Sequence, residues 1–114
     1  MKCKHVQVPI YECGLTIIFT KDLNEVAKKY KLEGDWSKYG ALTFKDKSKF
    51  RHYVTVFTDP THLSNIAHEI VHIKNHIFLG IAAEIDLCND EPEAYLTGWL
   101  FDQINNFLTT FKSE

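Results

Sequence analysis

The stretch from Asn65 to Asn75, Asn-Ile-Ala-His-Glu-Ile-Val-His-Ile-Lys-Asn, constrains this chain more than any other part of it. Wound as a helix, it and its flanks put Leu63, Ile66, Ala67, Ile70, Val71, Ile73, Ile77 and Phe78 on one broad apolar arc. His68, Glu69, His72 and His76 fall together on the complementary side. The spacing therefore predicts an amphipathic helix that packs by its apolar arc and carries its histidines as a stripe.

The stripe contains His68-Glu69-x-x-His72, the HExxH pattern. Residues four apart lie one above the other on a helix, so the two imidazoles can grip one ion. Zn2+ accepts neutral imidazole nitrogen, and catalytic zinc sites use three protein ligands and keep a position for water. Glu69 is turned about 100° from His68, beside the water rather than on the ion, where a general base belongs.

Two histidines need a third ligand, and the candidates are His76, Glu84, Glu91 and Glu93. His76 stands a further turn along the same helix, about 12 Å from His68 at the side-chain origins, too far for three rings to converge. A polar-face or supporting role suits it better. Glu93 ranks first: it lies 21 residues past His72, room for a second helix to return, and shares a face with Thr97, Leu100 and Ile104. The alternatives are a capping box over Asp90-x-x-Glu93, which would occupy Glu93 with a backbone N–H, and Glu91 or Glu84 as ligand.

The rest of the chain suggests what surrounds that helix. Val6 to Tyr11, broken by Pro9, reads as an edge strand or extended arm. Leu15 to Thr20 is β-branched and aromatic, a strand, and Asp22 or Thr20 can cap a helix over Leu23 to Tyr30 that Gly34 ends. Gly40 to Phe44 and Arg51 to Thr58 read as a hairpin, the second strand buried on both faces. Asp59-Pro60-Thr61 opens the HExxH helix with proline in its first turn. Ile81 to Asp86 is helix or loop. A last helix begins at Asp90-Glu91-Pro92-Glu93 and runs on a core stripe of Leu96, Leu100, Ile104, Phe107, Leu108 and Phe111. Strands with one helix, then two helices, make an α+β fold: a short mixed or antiparallel sheet packed on the HExxH helix and a C-terminal helix.

A length of 114 residues suits one domain, 1–114, with one core. A net charge of -2 gives no basic footprint for nucleic acid. The N-terminal Met-Lys-Cys-Lys-His-Val has no signal-peptide h-region, and the apolar run Ile77 to Ala83 is too short to span a bilayer. Cys3, Cys13 and Cys88 are an odd number at wide spacing, which favours a reducing compartment. These features point to a cytoplasmic protein with no membrane partner, a monomer or small homo-oligomer.

With the motifs in place, the chain resembles a zincin metallopeptidase of the gluzincin type, in which HExxH is followed by a glutamate on the next helix. Glu93-Ala94-Tyr95-Leu96 resembles the Glu-Ala-Asn segment of ImmA/IrrE-type metallopeptidases, with Tyr95 in place of the asparagine. The likeness covers about Tyr53 to Leu108. The metzincin extension does not fit, because Asn75 replaces its glycine and Phe78 its third histidine. The resemblance implies a minimal-zincin domain binding Zn2+ through His68, His72 and Glu93. Glu69 would be the catalytic base, and the substrate a peptide or protein, a regulatory protein among the candidates. It further implies that the strand preceding the motif helix, Arg51 to Thr58, offers an edge to that peptide, and that the chain is one of the small stand-alone HExxH proteins of bacteria and phages. Tyr95, His62, His52 and Tyr53 are candidates for an oxyanion donor. Trp36 and Trp99 read as packing residues. The other function compatible with the motif is a catalytically idle zincin fold acting as a binding or host-interaction module, or a zinc hydrolase of non-peptide amides.

Overall fold

The computed structural model describes residues 1–112. Its elements are β1 (Lys2–Val8), β2 (Cys13–Phe19), α1 (Leu23–Lys29), β3 (Ala41–Lys45), β4 (His52–Phe57), α2 (Leu63–Gly80) and α3 (Glu91–Thr109). The strands form one mixed sheet in the order β1-β2-β4-β3, with β2 and β4 parallel and the outer pairs antiparallel. This is the α+β arrangement that the order of motifs suggested.

The two faces of the sheet are covered by different helices, which follows from the alternation of side chains along a strand. Leu15, Ile17, Phe19, Tyr53 and Phe57 point to one side and meet Ile66, Ile70, Ile73 and Ile77 of α2 and Leu96, Leu100, Ile104 and Leu108 of α3. Ile18, Val54 and Val56 point to the other and meet Leu23 and Val26 of α1, with Trp36, Leu42 and Phe44 at the margin. The central strands β2 and β4 are thus buried on both faces. The Asp22 carboxylate caps α1 by accepting from the Asn24 N–H at 3.0 Å.

Several boundaries differ from those the sequence suggested. The first strand runs over Lys2–Val8, ahead of the expected Val6–Tyr11. Its charged residues are tolerated because it is an edge with an exposed outer side, and the chain turns at Pro9–Glu12, where Ile10 and Glu12 have φ of 73° and 50°. Helix α1 ends at Lys29, before Gly34, through Lys31 at φ 59° and the Leu32 N–H to Ala27 carbonyl bond. Pro60 sits in a turn before α2 rather than in its first turn: Asp59 Oδ1 accepts from the Thr61 N–H at 2.8 Å and from its hydroxyl at 2.7 Å. The ambiguous Ile81–Asp86 is not helix. Gly80 ends α2, Ala82 takes φ 55°, and the Ala83 N–H closes on the Phe78 carbonyl.

Candidate metal centre

Helix α2 buries Ile66, Ile70, Ile73 and Ile77, and so fixes how the histidine stripe is aimed. His68 and His72 emerge on the exposed flank facing β3, while Glu69, a third of a turn nearer the sheet, is 5% exposed. Among the described residues, the donor atoms of His68, Glu69 and His72 lie within 4.8 Å of one another. The His68 and His72 rings meet edge to face, with their Nε2 atoms 3.3 Å apart.

That separation is a test of fit. Two nitrogens at 2.0–2.1 Å from one tetrahedral ion stand roughly 3.3–3.4 Å apart. The pair therefore already has the spacing of two ligands on one zinc, and both atoms are the Nε2 that a helix presents outward. Borderline imidazole donors beside a carboxylate are a donor set that Zn2+ accepts.

Glu69 is held from the sheet side. The Thr43 hydroxyl donates to Glu69 Oε1 at 2.8 Å, and Thr43 is joined to Thr55 Oγ1 at 2.9 Å. Thr43 and Thr55 are cross-strand partners of β3 and β4. The other carboxylate oxygen, Oε2, is 3.9 Å from His68 Nε2. A cavity of about 240 Å3 opens over this group, walled by Trp36, Tyr39, Ala41 and Leu42 as well as Thr43. Trp36 and Tyr39 pack on each other at 5.5 Å, and Trp36 is anchored by its backbone N–H, which donates to Asn24 Oδ1.

Of the residues expected at the site, the structure brings His68, Glu69 and His72 together and leaves Glu93 out. Glu93 Oε1 is bound instead by Lys74 Nζ at 2.8 Å, in a pair largely shielded between α2 and α3. Lys74 stands two residues past His72, about 200° round the helix, so the pair holds Glu93 against the flank opposite the histidines. The alternative capping box is not formed either, since the Asp90 side chain makes no cap bond. Glu84 and Glu91 are exposed and outside the group. His76 lies half-buried against Tyr53, ring centroids 5.5 Å apart, and burial, aided by His72 and Lys45, holds it below the ordinary histidine range.

None of the four oxyanion candidates lines the cavity. His52 lies on the opposite face of the sheet, bonded to Thr16. Tyr53 is core, His62 is the N-cap of α2, and Tyr95 is exposed on α3 beside an apolar groove under Pro9–Tyr11. The expected peptide edge on Arg51–Thr58 is also ruled out: β4 is paired on both sides, and the free edge beside the histidines belongs to β3. Sequence reasoning did not place Thr43, Thr55 or Tyr39 beside the histidines, and read Trp36 as a packing residue, which it is, without its place at the cavity. The hairpin spacing that opposes Thr43 to Thr55 was a usable signal for the first two, whereas the loop that carries the aromatics has no periodicity to place it. Set against known proteins, the chain matches no family model, no curated protein and no solved structure.

Proposed function

We propose that this chain is a zinc-dependent peptidase of the zincin kind, with His68 and His72 holding the metal and Glu69 as general base. The observation that carries the reading is the 3.3 Å spacing of the two Nε2 atoms with a buried carboxylate beside them. Burying a carboxylate costs free energy. A structural zinc site needs no general base, whereas hydrolysis needs one beside the attacking water. This favours the enzyme over the idle binding module.

Zinc bound there supplies Lewis-acid polarisation of a carbonyl and brings the pKa of water towards ~7. Glu69 takes the proton of the attacking water and delivers it to the leaving amine. The free edge of β3 supports a peptide laid on as an added strand, its backbone fixed by ladder hydrogen bonds. Trp36 and Tyr39 then offer an apolar wall to one of its side chains. The free thiols Cys3, Cys13 and Cys88 fit a reducing, cytoplasmic setting.

Zinc content of the purified protein, beside Glu69→Gln, His72→Ala and Glu93→Ala, tests this. Glu69→Gln should keep zinc and lose cleavage of a peptide library, and His72→Ala should lose both. Glu93→Ala reports whether Glu93 leaves Lys74 for the metal: zinc lost makes it the third ligand, zinc kept leaves it an ion pair between helices. A wild-type protein that takes up no zinc from solution would end the proposal.

A further inference from the structure

We propose that Thr43 and Thr55 are positioning residues that select Oε2 of Glu69 as the proton-accepting oxygen. The inference rests on the zinc-hydrolase reading above and adds residues to it that no motif contains. It begins from the count of protons. Each threonine hydroxyl has one proton to give. Thr43 spends its own on Glu69 Oε1, at 2.8 Å. The 2.9 Å contact between Thr43 and Thr55 must then run from Thr55 to Thr43. The chain has one direction, Thr55 to Thr43 to Oε1, and its source is a fully buried hydroxyl on β4.

That direction decides what the carboxylate can do. Its terminal torsion is broad and two-fold, so an untethered glutamate swings its carboxylate plane at little cost and its two equivalent oxygens exchange places. With Oε1 engaged by Thr43, Oε2 is left as the oxygen on the histidine side, 3.9 Å from His68 Nε2. The proton that Glu69 collects goes to Oε2, and Thr43 goes on donating to Oε1 before and after. The tether is set by hairpin register, because Thr43 and Thr55 are direct partners across β3 and β4. A slip of one residue would replace Thr43 on this face by Leu42 or Phe44. The same edge strand that the peptide would pair with therefore also aims the base.

The experiment uses Thr43→Val, Thr43→Ser, Thr55→Val and Glu69→Gln in the full chain. Valine keeps the β-branched shape and removes the hydroxyl. Thr43→Val should keep zinc stoichiometry and KM and lower kcat about 10–100-fold, the range for removing a supporting partner of a metal site. Thr43→Ser should recover most of that loss, and Thr55→Val should lower kcat in the same direction by less. A second readout needs neither metal nor turnover: the carboxyl carbon resonance of Glu69 in the zinc-free protein should move in Thr43→Val and stay in place in Thr43→Ser. An unchanged kcat and unchanged resonance in Thr43→Val would overturn the proposal, as would a loss that serine fails to recover. Should Thr43→Val not fold, Thr55→Val and Thr43→Ser decide by the same two readouts. Cleavage that survives Glu69→Gln would instead overturn the hydrolase reading, while the resonance still tests the tether.

Discussion

Thr16 poses a problem of proton supply at the level of a single side chain. Its buried hydroxyl lies 2.7 Å from His5 Nδ1 and 2.7 Å from His52 Nε2. One proton cannot serve both rings, so at least one imidazole must donate to the hydroxyl. Of the two residues, His52 is the less exposed. Burial, reinforced by Lys49 and His5 and opposed by Asp46, holds it below the ordinary histidine range. The unfolded chain takes up its proton near pH ~6.5, and the folded chain only at lower pH. Between the two, the unfolded state holds more protons, so this contribution is present above about pH 6.5 and is lost as pH falls through the lowered folded value. Urea midpoints should therefore drop between pH ~7.5 and pH ~5, and His52→Gln should flatten that slope. Little of this was legible beforehand. His68, Glu69 and His72 declare themselves by spacing along one helix, but His5, Thr16 and His52 come from three strands and meet only through register.

Elements show the same division between what is local and what is not. Helices α2 and α3 were readable because a buried stripe at period 3.6 is written in the segment itself. Strand β1 was placed too late because an edge strand needs few apolar residues, and Lys2, Lys4 and Gln7 disguise it. The pairing of Glu93 with Lys74 was not legible for another reason: it is set by how α3 crosses α2, which neither segment specifies alone. The end of α2 shows how packing overrides propensity. Alanine is the better helix former by about 1 kcal/mol, so Gly80→Ala would be expected to stabilise. A Cβ at Gly80, however, would stand 2.5 Å from the hydroxyl of Tyr53, a core side chain that is 2% exposed. Gly80→Ala should destabilise by about 1–3 kcal/mol, read from thermal or urea unfolding. Combined with Tyr53→Phe, which removes the clashing atom, the same change should become neutral or favourable.

At the scale of the molecule, three layers separate the candidate chemistry from the remaining packing. Helix α1 closes one face of the sheet, α2 and α3 the other, and the group of His68, Glu69 and His72 lies where α2 meets the outer strand. Among the described residues, no helix is long and apolar enough to cross a membrane. The α+β plan was legible because the order of motifs sets the layers. Which strand would be outermost was not, because the parallel pairing of β2 with β4 places β3 at the edge. The two rims are unlike. β1 bears Lys2 and Lys4, a common guard against association, while β3 runs Ala41, Leu42, Thr43 and Phe44 before its first charge at Lys45. A rim bare enough for the proposed peptide is equally bare for the rim of another copy. For the proposed peptidase, concentration would then act as an inhibitor: two molecules joined along β3 would each occupy the other's proposed substrate track. Specific activity should fall as protein concentration rises, in step with dimer seen by sedimentation, and a lysine at Leu42 should abolish the dimer and that dependence together.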